Sequence, residues 1–306
     1  MPNISVVIPY YNDSKHIEQC ITSVISQTLT PLEIIIIDDC SIDTDGLRLI
    51  LNKFNFFNIK LIRNNVNMNG AYSRNKGIHE AKGDFIALLD ADDFWSMDHL
   101  EKNYNFIFKE KADFVYSNVI EIKKNKLIKR KVNDIHHIVG NIENIILYSP
   151  PQTNSFFFSS KISPLICFDE KLKRHQDYQF FLDIIRNKNI KVSYLDQYTT
   201  YYRYANTNKE NIDYSSIFNF WNKNKEKMDK SLLKKKLWNI IAGGLRNRKI
   251  NPETILFNKD LDNIFYNDKF YNFTKKIKNK MINRIIINIY FYIVIDRFKK
   301  LLHFIG

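Results

Sequence analysis

Cysteine is scarce in this chain, and the few cysteines lack the spacing of a metal or redox site. There are three, Cys20, Cys40 and Cys167, an odd number without a CxxC pair. This usage argues against a zinc cluster and is typical of a reducing compartment, so we expect a cytoplasmic protein. None of the seven histidines shows metal-ligand spacing tied to a carboxylate.

Two kinds of apolar segment are also missing. The first apolar run, residues 4–8, begins too close to the N-terminus to leave room for a secretory signal peptide. Residues 285–295 are largely apolar and aromatic, but they supply only about half of the ~20 residues that a membrane-spanning helix needs. We therefore expect neither a signal peptide nor a membrane span.

Negative charge is in short supply. The chain has 33 acidic residues against 46 lysines and arginines, a net charge of +13. Such an excess favours a polyanionic partner, and nucleic acid, anionic lipid and a nucleotide diphosphate all satisfy it. The length of 306 residues and a hydrophobic content of 44% are sufficient for one large or two small domains.

The first hundred residues alternate short apolar segments with amphipathic ones, which predicts a parallel sheet built from βα units. Strands are predicted at 4–8, 33–38, 59–63, 84–90 and 113–118. Helices are predicted at 17–29, 71–82 and 98–109, and later at 175–185. A Pro-containing entry to a strand is predicted at 148–158, and residues 210–306 have a helical character.

Residues 121–131 predict a basic β-hairpin, with six lysines and arginines around a turn that contains Asn125. A solvated edge strand is the favoured interpretation, because edge strands commonly carry lysine to block pairing. Nucleic-acid binding is the alternative. It is disfavoured because no aromatic residue lies between Ile122 and Val132.

The most informative motif is an apolar run, residues 85–89, that leads directly into Asp90, Asp92 and Asp93. If the chain stays extended, the side chains of Asp90 and Asp92 point the same way. Such crowded carboxylates favour a divalent cation. The alternative is that Asp92 or Asp93 caps a following helix.

The C-terminal segment is apolar between two basic clusters. Cations precede and follow residues 285–295, at Lys275, Lys276, Lys278, Lys280, Arg284, Arg297, Lys299 and Lys300. This arrangement favours an interfacial helix on an anionic membrane surface. The alternative is a terminal helix packed on the protein.

Four motifs in order make the chain resemble the family 2 glycosyltransferases of GT-A fold, of the bacterial surface-polysaccharide type. They occupy residues 5–12, 37–41, 69–78 and 83–93. Beyond residue 118 the resemblance depends mainly on Phe168-Asp169-Glu170 and His175-Gln176-Asp177. The resemblance implies an α/β fold, with a Rossmann-like, mostly parallel sheet, flanking helices and a helical C-terminal extension.

The resemblance also implies a division of labour along the chain. Residues 1–118 would bind a nucleotide sugar, residues 119–209 would complete the same domain with the acceptor site and the catalytic base, and residues 210–306 would form the helical region. The nucleotide and its diphosphate would contact Pro9, Tyr11, Asp38, Asp39, Arg74, Asp90, Ala91, Asp92 and Arg203.

Several of these residues have plainer interpretations. The tyrosines that follow Pro9 are also suited to the core, and one of Asp38 and Asp39 is sufficient to stabilise a turn. Arg74 is well placed to reach a nucleotide, but also to form an ion pair with a neighbouring aspartate.

The resemblance implies a Mn²⁺ or Mg²⁺ ion on Asp92, supported by Asp90, and a general base at Asp177. The family usually has a Glu-Asp pair where this chain has Gln176-Asp177. Loss of the neighbouring charge would lower the pKa of Asp177 relative to such a pair. The alternative for Asp177 is an aspartate that only stabilises the first turn of a helix.

Together with the motifs, the resemblance implies an inverting glycosyltransferase. It would transfer a sugar from a UDP-sugar to a hydroxyl of a glycan acceptor, lipid-linked in O-antigen or capsule biosynthesis, at the inner face of the cytoplasmic membrane. Two alternatives from other classes are a basic nucleic-acid-binding protein and a sugar-nucleotide-binding protein without catalysis.

Overall fold

The protein consists of two compact units, residues 1–206 and 207–306. The computed structural model describes residues 2–204, 212–246, 258–265, 268–277, 282 and 285–286. The predicted interfacial segment 285–295 therefore lies outside the described residues, except for its first two. In the described part of the chain, no helix is both long enough and apolar enough to cross a bilayer.

A mixed sheet forms the centre of the first unit. Its strands are β1 (Ile4–Tyr10), β2 (Glu33–Asp38), β3 (Ile59–Arg63), β4 (Phe85–Leu88), β5 (Phe94–Trp95), β6 (Phe114–Lys123), β7 (Lys126–Arg130), β8 (Phe157–Ser159) and β9 (Val192–Arg203). The strand order is β3-β2-β1-β4-β8-β6-β9-β5, and β7 pairs with β6.

Helices flank the sheet. In the first unit they are α1 (Ile17–Ile25), α2 (Thr44–Asn52), α3 (Asn69–Glu80), α4 (His99–Glu110), α5 (Ile145–Tyr148) and α6 (Gln176–Arg186). Those of the second unit are α7 (Tyr214–Asn224), α8 (Lys230–Arg246), α9 (Lys259–Phe265) and α10 (Lys269–Lys276). The predicted α/β fold and the predicted helical C-terminal region are confirmed.

The first four strands form the parallel half of the sheet. β1 pairs in parallel with both β2 and β4, and β2 pairs in parallel with β3. β2 is buried along its whole length because its sequence is a run of isoleucines between two acidic residues. The chain moves outward from β1 to β3 and returns to the other side of β1 at β4. The carboxyl ends of β1 and β4 thus form a topological switch point, where open α/β sheets bind ligands.

Antiparallel pairing enters in the second half, through β8 against β4 and β6, β5 against β9, and β7 against β6. The predicted basic hairpin is confirmed as β6 and β7, and its turn residues Lys124 and Asn125 have positive φ angles. The sequence patterns missed α2, β5 and the long strand β9, which runs parallel to β6.

The segment predicted as a Pro-containing entry to a strand, residues 148–158, leads into β8 at its end. Residues 145–148 are helical, Thr153–Ser155 is a 3₁₀ turn, and only β8 is extended. Pro150 and Pro151 cannot donate to a strand ladder, so the sheet pairing begins after them.

The packing of α3 on β1 depends on a glycine. A Cβ atom at Gly77 would lie 2.2 Å from Cγ1 of Val7 and 3.4 Å from Cγ1 of Ile37. No real contact of this kind is that short, so a side chain at position 77 would force the helix away from the sheet. This close approach fixes α3, and with it Arg74, over the carboxyl end of β1.

The second unit has an aromatic core of its own. The ring of Trp238 lies 5.1 Å from that of Phe265, which stacks on Tyr271 at 4.9 Å. Trp221 and Phe218 of α7 are fully buried. These contacts explain the helical pattern of the sequence, because large apolar side chains recur at the spacing of one helix face.

We predict that Gly77→Ala lowers the free energy of unfolding by about 1–3 kcal/mol or more, because of the overlap with Val7. Gly243→Ala in α8 is the matched control. Its Cβ atom would meet nothing within 4 Å, so the higher helix propensity of alanine should stabilise the protein by about 0.5–1 kcal/mol. Urea denaturation measures both changes. Equal effects of the two substitutions would contradict the proposed packing role of Gly77.

Candidate active site

A cleft of about 230 Å³ opens at the carboxyl ends of β1, β2 and β4. Seven of the predicted site residues line it: Pro9, Tyr11, Asp39, Arg74, Asp90, Ala91 and Asp92. Tyr11 is 54% exposed there. Tyr10 is a core residue, as the plainer interpretation allowed, and its hydroxyl donates to Asp43 at 2.7 Å.

The acidic motif forms a tight turn after β4. The N–H of Asp93 donates to the carbonyl of Asp90 at 3.1 Å. The expectation that Asp90 and Asp92 share one face of an extended strand is therefore wrong, because β4 ends at Leu88. The expectation of a helix cap is also wrong, because β5 follows the turn and α4 has Asp98 at its N-cap position.

The turn is held from inside the protein through Asp93, which is fully buried. Its carboxylate accepts the backbone N–H of Arg203 at 2.6 Å and the side-chain amide of Asn154. Burial, followed by the charges of Asp92 and Asp90, raises the pKa of Asp93 well above its ordinary value, although Arg203 opposes the shift. Asp93 therefore anchors the turn.

Arg203, predicted to bind the diphosphate, serves the same turn. Its guanidinium donates to the carbonyl of Asp92 and to the side chain of Gln19, and lies 4.9 Å from the ring of Phe94. Arg203 is absent from the residues that line the cleft.

Asn154 is a residue of the candidate site that the sequence patterns did not identify. Its side-chain oxygen accepts the N–H of Asp90 at 2.7 Å, and its amide donates to Asp93. Its backbone carbonyl accepts from Trp95 Nε1 at 2.8 Å. Asn154 and Asp90 are 64 positions apart in the chain, so no local spacing connects them.

Arg74 links the acidic turn to α6. Its Nη2 lies 2.5 Å from Oδ1 of Asp90, and its Nη1 donates to the side-chain oxygen of Gln176 at 3.4 Å. A Cβ atom at Gly70 would lie only 3.0 Å from Nη1, so glycine leaves room for the guanidinium. The ion pair with an aspartate, the plainer interpretation of Arg74, is confirmed. Arg74 also lines the cleft, and its contact with a nucleotide stays a prediction.

The Phe168-Asp169-Glu170 motif is tied to α3 by hydrogen bonds. The side chain of Asn75 accepts the N–H of Phe168 at 2.8 Å and donates to its carbonyl at 3.0 Å. Asn69 donates to the carbonyl of Glu170 at 2.9 Å. The ring of Phe168 stacks on Phe180 and lies 5.4 Å below the guanidinium of Arg74. The Phe168-Asp169-Glu170 motif and the motif of residues 69–78 on α3 therefore both contribute to the position of Arg74.

Asp38 is fully buried and has internal partners. It accepts from the N–H of Ser41 at 2.9 Å, from the hydroxyl of Thr44 at 2.8 Å and from Arg63 at 2.6 Å. Burial alone would raise the pKa of Asp38, but these hydrogen bonds outweigh it and hold the pKa below its ordinary value. Asp38 fixes the chain between β2 and α2 and is not part of the cleft lining.

Asp39 lines the cleft, and its carboxylate accepts three hydrogen bonds from neighbouring residues. Its Oδ1 accepts from the N–H of Met68 at 2.8 Å and from the side chain of Asn64 at 2.9 Å. Its Oδ2 accepts from the N–H of Asn69 at 2.8 Å. A carboxylate offers about four acceptor positions, so Oδ2 retains one for a donor in the cleft.

Asp177 lies in the first turn of α6, next to Gln176. The residue is partly exposed, yet enough protein surrounds the carboxyl group for burial to raise its pKa to about 6. The charge of Asp90 adds to the shift, and the positive charge of Arg74 opposes it. Asp177 is absent from the lining of the cleft, but Arg74 connects its helix to that lining. A carboxyl group with this pKa can exchange a proton near neutral pH.

The carboxylates of the turn fit a divalent ion only if a ligand completes the site. Within the described residues, no group of three or more His, Cys, Asp and Glu side chains is arranged to hold a metal. Mg²⁺ is commonly held by one or two carboxylates together with substrate phosphates and water. Asp90 and Asp92 on the cleft lining provide that donor set.

The fold and the sequence together define the class of protein. The profile of glycosyl transferase family 2 matches residues 5–168, more than half of the chain. The chain therefore belongs to glycosyl transferase family 2 and is a glycosyltransferase.

Named bacterial proteins resemble it over long segments. The UDP-Glc:alpha-D-GlcNAc-diphosphoundecaprenol beta-1,3-glucosyltransferase WfaP of Escherichia coli is 32% identical over 235 residues, which cover 71% of this chain and 86% of WfaP. The amylovoran biosynthesis glycosyltransferase AmsB of Erwinia amylovora is 32% identical over 188 residues. That match covers 58% of this chain and 62% of AmsB, so less than two thirds of AmsB is represented.

Solved structures of a third protein share the fold. Staphylococcus aureus TarS 1-349 in complex with UDP-GlcNAc has a TM-score of 0.60 and 19% identity, covering 93% of this chain and 79% of that chain. The complex of TarS 1-349 with UDP has a TM-score of 0.58 and 18% identity, and the match covers 90% of this chain and 75% of that chain. The predicted GT-A fold is thereby confirmed.

Proposed function

We propose that this protein transfers a sugar from a UDP-sugar to a hydroxyl of a glycan acceptor, with inversion at the anomeric carbon. The observation that carries the proposal is the position of Arg74. It contacts Asp90 of the acidic turn on one side and Gln176 on the other. The residue that follows Gln176 is Asp177, so one guanidinium places a candidate base beside a candidate nucleotide cleft.

The nucleotide would bind across the ends of β1 and β2. The free acceptor position on Asp39 Oδ2 suits the N–H of uracil, and the exposed ring of Tyr11 offers a flat apolar surface. The TarS structures with UDP and UDP-GlcNAc and the name of WfaP support a uridine nucleotide as donor.

The diphosphate would lie against the acidic turn. Asp92 and Asp90 would hold Mn²⁺ or Mg²⁺, which when bound neutralises negative charge on the departing UDP. Arg74 supplies a fixed positive charge at the same place, and Asn154, Asp93 and Arg203 keep the turn rigid. A preorganised site of this kind does not have to reorganise when charge develops.

Asp177 would act as general base. It takes the proton of the acceptor hydroxyl, and the oxygen attacks the anomeric carbon as the bond from that carbon to the UDP oxygen breaks. Attack from the face opposite to the leaving group inverts the configuration. The elevated pKa of Asp177 suits this step, because a base is most effective when its pKa lies near the working pH.

The acceptor is proposed to be a lipid-linked glycan in bacterial O-antigen or capsule biosynthesis. WfaP is named for a diphosphoundecaprenol-linked acceptor, and AmsB for biosynthesis of the polysaccharide amylovoran. A reaction at the inner face of the cytoplasmic membrane would follow, with the basic C-terminal segment as one contact to anionic lipid.

Asp177→Asn should abolish transfer without preventing nucleotide binding. We expect kcat to fall by about 10²–10⁴-fold, because the proton of the acceptor then has no base, while the Kd for UDP stays within twofold. Asp183→Asn, on the exposed face of the same helix, is the matched control and should leave both constants unchanged. Unchanged transfer by Asp177→Asn would exclude Asp177 as the base. A wild-type protein that binds UDP but transfers no sugar would favour the non-catalytic alternative.

The pH dependence of transfer provides a separate test. Because Asp177 must be ionised to accept a proton, kcat/KM should rise about tenfold per pH unit below its pKa of about 6 and level off above it. Gln176→Glu should move this rise to higher pH, because an adjacent carboxylate disfavours ionisation of Asp177. Gln176→Met removes the amide without adding charge and should leave the midpoint unchanged. A profile that is flat between pH 5 and 8 would contradict the assignment.

A further inference from the structure

The β6–β7 hairpin, residues 121–131, exposes apolar side chains among its lysines; we call it the basic hairpin. Leu127 is 64% exposed and Ile128 is 44% exposed. They are successive residues of β7, so their side chains lie on opposite faces of the strand. Lys124, Lys126 and Lys129 are exposed as well, and none pairs with a carboxylate of the described residues.

The basic hairpin lies at the same edge of the sheet as the acidic turn. In the parallel pairing of β6 with β9, Ile122 is opposite Arg203. Arg203 donates to Asp92 within the turn. The hairpin therefore continues β6 at the carboxyl edge, beside the candidate active site.

Blocking of edge pairing explains the lysines but not their apolar neighbours. Exposed aliphatic residues on an edge strand promote aggregation unless another surface covers them. A partner that covers both kinds of side chain has to offer negative charge and an apolar layer. The interface of an anionic lipid bilayer offers the two together.

Nucleic acid fits this surface less well. The fold does bring aromatic rings to the lysines, which the sequence of the hairpin alone did not show. Lys123 Nζ lies 4.3 Å from the ring of Tyr204, and Lys129 Nζ lies 5.2 Å from that of Tyr198. An ammonium group thus occupies one face of each ring, where a base would stack. Two exposed aliphatic side chains would also gain little from a phosphodiester backbone.

We propose that the basic hairpin docks edge-on on anionic lipid through β7. Leu127 and Ile128, which project from the two faces of this strand, then both reach the boundary with the acyl chains, and the lysines lie among the headgroups. Docking by this edge would bring the cleft to the surface where a lipid-linked acceptor lies. That consequence rests on the proposed function, whereas binding to lipid does not.

Partition of the full-length protein onto vesicles tests the proposal. Vesicles of phosphatidylglycerol and phosphatidylcholine are sedimented, and the bound fraction is measured at low salt. Each cation near an anionic surface contributes about fivefold to binding, so Lys124→Gln, Lys126→Gln and Lys129→Gln together should weaken partition by roughly 100-fold. A second variant, Leu127→Ser with Ile128→Ser, should weaken it by roughly tenfold with all charges retained.

The matched control removes three lysines from the opposite edge of the sheet. Lys109, Lys111 and Lys188 are exposed and precede β6 and β9, and their replacement by Gln should change partition by less than threefold. Unchanged thermal melting and UDP binding verify that each variant is folded.

Three results would overturn the proposal. One is equal loss in the hairpin and control variants, which indicates nonspecific charge attraction. Another is wild-type partition by both hairpin variants. The third is that the hairpin variants lose binding to a single-stranded oligonucleotide but partition onto vesicles as the wild type does. A wild-type protein that partitions as expected but transfers no sugar would refute the proposed function and leave lipid docking intact.

Discussion

Three carboxylates within four residues, at the end of a buried strand, must be held against their mutual repulsion. Each is held in a different way. Asp93 is buried and bonded to Asn154 and to the backbone of Arg203, Asp90 pairs with Arg74, and Asp92 lies on the cleft lining, with its carbonyl bonded to Arg203. The partners come from α3, β9 and the segment before β8, so the turn unites distant parts of the chain.

The need to hold these carboxylates also connects the acidic turn to the candidate base. Arg74 neutralises Asp90 and at the same time contacts the first turn of α6, where burial raises the pKa of Asp177. Gly77 and Gly70 provide the close approach that this arginine requires, one by seating α3 on β1 and the other by leaving room beside the guanidinium. The candidate base, the candidate nucleotide cleft and the sheet are therefore parts of one electrostatic arrangement.

The sequence was sufficient to predict the parallel half of the sheet, because its signals are local. Apolar runs such as residues 34–37 and the helical spacing of Ile17, Cys20, Ile21 and Val24 each lie within one element, and all of these residues are buried. Family motifs in the same half also indicated seven residues that line the cleft. Whether those residues bind the nucleotide stays a prediction.

What the sequence did not show depends on contacts between distant positions. β9 mixes polar and tyrosine residues and is buried along only part of its length, so its pattern is not that of a simple buried strand. Asn154 acts through side-chain hydrogen bonds to residues more than 60 positions away. The turn from Asp90 to Asp93 is likewise held by Asn154 and Arg203, which are distant in the sequence.

Asp92 on this turn is proposed to hold the metal and the diphosphate of a uridine nucleotide. Calorimetric titration of UDP with and without Mn²⁺ tests it, with Asp98→Asn as control, because Asp98 lies at the N-cap position of α4 and pairs with Lys102. We predict that Mn²⁺ tightens UDP binding at least tenfold, about 1.4 kcal/mol, in the wild type and in Asp98→Asn, but not in Asp92→Asn. Full retention of the Mn²⁺ effect in Asp92→Asn would contradict the account.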